Sequence, residues 1–259
     1  MKTRILATLI ALTAAPAVAE QALPPGLISA RLLPGWTTDE GQRVAALELV
    51  LEPGWKTYWR SPGDTGLPPE FDWSGSANLA SITLHWPAPE LIDSEGTQTL
   101  GYHDRLILPL TATPADPAAP MALAARIDLG LCENVCVPAH LSLTAPDAAA
   151  TPDPQISAAM ETVPALAEGP TPACTIRPTR DGMQVALTLP ADARPQIAAL
   201  ELDSGTPVWA SGAVIDGQTV TADFVPNSGK PFDLDPQQIV LTLIHPDGAT
   251  EHRGCAPQG

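Results

Sequence analysis

Four cysteines are the residues of this chain best suited to covalent chemistry, and their spacing sorts them into two pairs. Cys132 and Cys136 flank Glu133-Asn134-Val135, whereas Cys174 and Cys255 bracket most of the C-terminal third. A thiolate can attack a disulfide sulfur, so a cysteine pair either trades bonds with another protein or ties its own fold shut. A disulfide needs Cα atoms within about 7 Å, so the chain between Cys132 and Cys136 must bend. A hairpin or a single helical turn supplies that bend, and Pro138 argues against a helix that continues. In the hairpin reading, Ile127, Leu129 and Leu131 lead in, Val137, Leu141 and Leu143 lead out, and Glu133-Asn134 suits the turn. Closing so short a loop constrains the unfolded chain by about 2 kcal/mol, against about 4.5 kcal/mol for the loop from Cys174 to Cys255. The short pair is therefore expected to be exchangeable and the long pair a structural disulfide. Asp128 and Glu133 place negative charge beside the short pair, with Arg126 and His140 as the nearby cations along the sequence. That balance predicts a weakly acidic thiol and slow, partner-gated exchange.

These cysteines must be positioned by strands. Between Leu27 and Leu143 short apolar or alternating runs are separated by turn-forming residues, an all-β signature. Leu47, Leu49 and Leu51 alternate with Glu48 and Glu52, which predicts one buried face and one wet face carrying solubilising charge. Further strands are expected at Lys56–Arg60, Glu70–Trp73, Ile82–Trp86, Arg105–Thr111, Ala122–Leu131 and Val137–Leu143. The proline- and glycine-rich segment Ser61–Pro69 must be a loop, since its prolines lack donors. Residues 145–173 turn to Ala, Pro, Thr and acidic residues and read as a linker, with two helical turns possible from Gln155 to Thr162. Beyond it, about seven more short strands fit a small β-sandwich.

The chain has 259 residues, enough for two modest domains: 20–144, then 174–259 after the linker. A hydrophobic content of 44% excludes a disordered chain, and 30 prolines argue against long helices. The net charge of −16 and only 13 Lys and Arg, none clustered, exclude nucleic-acid binding. Residues 1–19 read as a secretory signal: Lys2 and Arg4, an apolar stretch from Ile5 to Leu12, and Ala17-Val18-Ala19 before cleavage. No later run is long and apolar enough to span a bilayer. An exported, periplasmic protein is expected, in a compartment where disulfides persist.

Two stretches carry a family resemblance. Gly101-Tyr102-His103-Asp104-Arg105-Leu106-Ile107-Leu108-Pro109-Leu110 and Gly130-Leu131-Cys132-Glu133-Asn134-Val135-Cys136-Val137-Pro138-Ala139 resemble the N-terminal periplasmic domain of the thiol:disulfide interchange protein DsbD. Upstream, Pro53-Gly54-Trp55-Lys56-Thr57-Tyr58-Trp59-Arg60 fits the family's aromatic strand, and the likeness extends to the N-terminal region of ScsB reductases. The resemblance covers Leu27 to Leu143. It implies an immunoglobulin-like sandwich, so that the expected architecture is two immunoglobulin-like β-sandwich domains joined by an Ala/Pro-rich linker. It also implies a redox pair that takes electrons from a membrane-embedded thiol transporter of the DsbD/CcdA type and passes them to periplasmic thioredoxin-like proteins. By position Cys136 would form the mixed disulfide and Cys132 would resolve it, with Asp93 as the family's acid and Tyr58 as an active-site tyrosine. The chain departs from the pattern in three ways. Three residues separate its cysteines where the best-known members have five, Glu95 falls where the family has a shielding aromatic residue, and the family's membrane and thioredoxin domains are missing. Separately encoded partners are therefore expected.

Two other readings compete. The Cys132–Cys136 thiols with His140 are a conceivable Cu(I) or zinc site, although no cofactor is expected. Trp55, Tyr58 and Trp59 offer the alternative of a stacking platform in a glycan-binding sandwich, but packing into the core is the expected use of these rings. His85, His103, His245 and His252 stand apart from one another, and no nucleophile elbow or phosphate loop is present.

Overall fold

A computed structural model describes residues 23–258 except 95–96, 191–192 and 206. The expected signal segment, residues 1–19, and Glu95 lie outside the described residues. The protein is all-β, with 53% strand and 4% helix. Its N-terminal half holds β1 (Leu27–Thr37), β2 (Arg43–Leu51), β3 (Lys56–Tyr58), β4 (Glu70–Asp72) and β5 (Leu79–Leu84). These are followed by β6 (Glu90–Ser94), β7 (Thr97–His103), β8 (Arg105–Pro114), β9 (Ala124–Cys132) and β10 (Cys136–Thr144). They form two antiparallel sheets, ordered β1-β2-β8-β5 and β10-β9-β3-β7-β6, with β4 beside β9. One face of each sheet supplies a shared core: Leu47 and Leu49 from β2, Leu106 and Leu108 from β8, and Ile127, Leu129 and Leu131 from β9. Period-two alternation along each strand is what aims these residues inward together.

The outer face of β2 is not wet. Glu48 is only 2% exposed and is ion-paired with both Arg31 of β1 and Arg105 of β8. The face expected to be wet is covered at Glu48 by side chains of the neighbouring strands, and further along by a helix. Within residues 145–173, Asp153 caps α1 (Pro154–Met160) by accepting from the Gln155 amide at 2.8 Å. Ile156 of α1 is fully buried against Leu33, Val44 and Ala46. Glu52, at the strand's end, remains exposed.

The C-terminal half continues with β11 (Ala165–Leu166), β12 (Ala173–Pro178), β13 (Met183–Thr188), β14 (Ile197–Leu202) and β15 (Val208–Ala210). Then come β16 (Val214–Asp216), β17 (Thr219–Pro226), β18 (Ile239–His245), β19 (Gly248–Arg253) and β20 (Ala256–Pro257). Its sheets run β11-β19-β18-β14 and β15-β17-β13-β12-β20, with β16 beside β17. Val185, Leu187, Leu200, Val220, Phe224 and Leu241 fill its core, beside the buried Cys174–Cys255 disulfide. The strand orders of the halves differ, and the four sheets together read as propeller-like. Two immunoglobulin-like sandwiches therefore do not follow from the strand content alone. The halves touch: Ala199 of β14 is buried in the N-terminal core, and Arg60 pairs with Glu201 and Glu251.

Candidate functional site

The β9–β10 hairpin places Cys132 directly opposite Cys136, with Cα atoms 4.1 Å apart and the sulfurs joined. That spacing is near the value for a non-hydrogen-bonded antiparallel pair. The two sulfurs are nevertheless inequivalent. β3 flanks β9, with Lys56 opposite Cys132, so Cys132 sits between two strands and is 1% exposed. Cys136 opens the edge strand and is exposed, beside Val135 at the hairpin tip.

Tyr58 reaches this disulfide from β3. Its hydroxyl lies 2.8 Å from Cys132 Sγ and 3.1 Å from Cys136 Sγ. Neither sulfur of a disulfide carries a proton, so the hydroxyl is the donor. Burial pushes the Tyr58 phenol up, which keeps that proton in place at neutral pH. The ring is gripped between two glycines. A Cβ on Gly66 would lie 2.8 Å from Tyr58 Cδ1, and one on Gly130 3.0 Å from Tyr58 Cε2, so the backbone can approach only without side chains there.

A cavity of about 560 Å³ opens beside the sulfurs. Its lining includes Lys56 and Tyr58 from β3, Asp93 from β6, Glu133 of the hairpin turn, and Leu67 of the Ser61–Pro69 loop. The structure thus brings together Cys132, Cys136, Tyr58 and Asp93. Lys56, which the sequence reading passed over, belongs to the same group. It is 6% exposed, and burial lowers its ammonium pKa. A signal for it did exist: Lys56 and Tyr58 are two apart in a strand, hence on one face, and lysine is rare in this chain.

The two cations weighed from the sequence lie elsewhere. His140 faces Asp128, four register positions down the hairpin from the cysteines, roughly 13 Å away at strand rise. Arg126 pairs with Asp72. A metal site combining both thiols with His140 is thus not assembled, and among the described residues no group of three or more His, Cys, Asp or Glu is placed to hold a metal ion. Trp55, Tyr58 and Trp59 do not form a stacking platform, because Tyr58 and Trp59 are buried and Trp55 packs against the core. Cys174 and Cys255 lie in the other half: both are buried, with Cα atoms 5.7 Å apart, between β12 and the chain after β19.

Residues 29–148 match the family described as thiol:disulfide interchange protein DsbD, N-terminal. This part of the chain is similar to a DsbD N-terminal domain. Among solved structures, the N-terminal periplasmic domain of ScsB from Proteus mirabilis superposes with a TM-score of 0.64 at 24% identity. The match covers 89% of this chain and 92% of that one, so the shared fold extends over both halves. No curated protein sequence matches. The hairpin cysteines thus lie within the stretch that matches a thiol:disulfide interchange domain. Among the described residues no helix is long and apolar enough to cross a membrane.

Proposed function

We propose that the chain is a periplasmic electron relay, taking electrons from a membrane-embedded thiol transporter and delivering them to thioredoxin-like proteins through Cys132 and Cys136. The observation that carries this reading is the asymmetry of the pair: Cys136 exposed at a cavity mouth, Cys132 buried under a tyrosine hydroxyl. In the loading step a donor thiolate attacks Cys136 Sγ along the accessible side. The Cys136–Cys132 bond breaks, its electron pair departs on Cys132 Sγ, and a mixed disulfide to Cys136 forms. Tyr58 donates to the departing thiolate and the Lys56 ammonium offsets its charge. The donor's second thiol then attacks its own bonded sulfur, which frees Cys136, and two protons complete the dithiol. Delivery runs the same steps in reverse: Cys136 attacks the acceptor's disulfide, and Cys132 then attacks Cys136 and releases the acceptor as a dithiol. Asp93, on the cavity wall, is positioned to take up or return a proton.

The remaining assignments follow from the same reading. The order β1-β2-β8-β5 against β10-β9-β3 supports an immunoglobulin-like N-terminal domain over residues 20–144. Residues 174–259 form a second domain closed by the Cys174–Cys255 staple, and residues 1–19 direct export with cleavage after Ala19. The decisive experiment incubates the reduced Cys132→Ala protein with a thioredoxin-like domain whose second cysteine is replaced by Ala and whose first carries a 2-nitro-5-thiobenzoate leaving group. A mixed disulfide that survives on non-reducing gels is expected, and Cys136→Ala should give none. Normal electron transfer by Cys136→Ala would end the proposal.

A further inference from the structure

The Ser61–Pro69 loop has two sides, and they face different parts of the molecule. Its inner side belongs to the redox site. Gly66 lies against the Tyr58 ring, Leu67 lines the cavity, and Leu67 Cβ would be 3.5 Å from a Cβ placed on Gly130. Its outer side is held by the C-terminal half. The Gly212 amide donates to Asp64 Oδ1 at 2.8 Å, and a Cβ on Gly63 would come within 3.3 Å of Gly212 Cα. At the loop's start, Arg60 Nε and Nη2 donate to Glu201 at 2.9 and 2.8 Å, and Nη2 also donates to Glu251 at 2.7 Å. The same guanidinium lies 4.6 Å from the Trp59 ring centroid. One internal tie, from the Leu100 amide to the Pro62 carbonyl at 3.0 Å, fastens the loop to β7.

We propose that the C-terminal half acts on the redox site through this loop. Arg60 and Asp64 are positioning residues that hold Gly66 against Tyr58 and Leu67 beside the Cys132–Cys136 sulfurs. The loop carries three prolines and two glycines in nine residues and has no strand pairing of its own, so its placement depends on what grips its two sides. The Arg60 fork, partly withdrawn from water between two carboxylates, is the directional anchor at one end. Asp64 is the anchor near the tip. Loss of the Asp64 contact frees the segment that walls the cavity while leaving the hairpin and its disulfide untouched. The C-terminal half therefore sets how readily a small thiol reaches Cys136, and the loop becomes a movable wall that a docking protein can displace.

This inference rests on exchange at Cys132–Cys136, and its test separates the two. Full-length wild type, Asp64→Ala and Asp64→Asn are reduced with dithiothreitol, and opening of each disulfide is followed by alkylation and mass spectrometry. Hydrogen exchange is measured over residues 61–69 and at Gly212. Asp64→Ala should open Cys132–Cys136 about fivefold faster, the scale of one ordinary hydrogen bond lost at the surface, with faster exchange in the loop. Asp64→Asn keeps an acceptor oxygen and should stay near wild type, and Cys174–Cys255 should resist equally in all three. Unchanged opening and unchanged loop exchange in Asp64→Ala overturn the proposal, as does an equal effect of Asp64→Asn. A wild-type Cys132–Cys136 bond that no thiol opens would instead sink the relay reading itself.

Discussion

Replacing Tyr58 by Phe removes one atom from the site and tests the mechanism most directly. In the oxidised protein the hydroxyl donates to two disulfide sulfurs at 2.8 and 3.1 Å, and such sulfurs are weak acceptors. During exchange the bond breaks and Cys132 becomes a thiolate, so the same donor then serves a full negative charge. A hydrogen bond to a charged group contributes about 1.5–3 kcal/mol, and the lower figure applies here because the adjoining cavity admits water as a substitute donor. The transition state carries roughly half of that charge, as the Brønsted coefficient of about 0.4–0.5 for thiol exchange indicates. About 0.7 kcal/mol is lost at the barrier, which slows attack on Cys136 about threefold, with about tenfold as the limit for full charge development. Stability should change little, because the ring stays clamped between Gly66 and Gly130 and the partner atoms left behind are weak acceptors. The assay is stopped-flow reduction by a reduced thioredoxin, with rapid alkylation to count free thiols, alongside thermal melts of both proteins. Wild-type rates in Tyr58→Phe would show that the hydroxyl packs against the sulfurs without assisting the leaving group, and the assigned role would be lost.

Four further outcomes follow from the same geometry. Lys56→Gln should slow reduction of Cys132–Cys136 by about tenfold at low salt, since it removes the buried cation beside the departing thiolate; a rate independent of this side chain would place the ammonium outside the chemistry. Gly130→Ala puts a methyl 3.0 Å from the Tyr58 ring and should reproduce the slow exchange of Tyr58→Phe with a lower melting temperature. Cys174→Ala/Cys255→Ala should destabilise the chain by about 4 kcal/mol in urea titration and leave exchange at the hairpin intact. For Glu48, burial pushes the carboxyl up, but hydrogen bonds from Arg31 and Arg105 outweigh it and hold the group below its ordinary value. The unfolded chain therefore binds this proton more readily, so the stabilisation is full above the ordinary carboxylate range and fades as pH falls through the folded value. Glu48→Gln should melt about 4–8 °C lower than wild type near about pH 7, from a loss of about 2 kcal/mol, and the gap should narrow below about pH 4.

The limits of reading along the strand show at particular residues. The alternation Ile127, Leu129, Leu131 and the polar pair Glu133-Asn134 made the β9–β10 hairpin legible, because period-two patterning and turn chemistry are both local. Most of the strands were legible for the same reason, and the β6–β7 hairpin escaped because Glu90–His103 mixes polar and apolar residues without clear alternation. Glu48 was misread by that very logic, since alternation reports that a strand has two faces and not what covers the second one. Lys56 was missed because its nearness to Cys132 is a cross-strand relation between β3 and β9, separated by some seventy positions in the chain.

By itself the sequence determined an all-β chain, two cysteine pairs of unequal span, a hairpin turn at the first of them, and a proline-rich loop that no strand could claim. Each of these follows from short-range rules: side-chain period, missing donors, and loop length. Only the tertiary structure decided which sulfur meets solvent and which lies under Tyr58, that Lys56 rather than His140 or Arg126 is the neighbouring cation, and that the C-terminal half grips the loop beside the site. Burial and charge proximity are set by the packing of strands distant in sequence, and no local pattern encodes the distance between them.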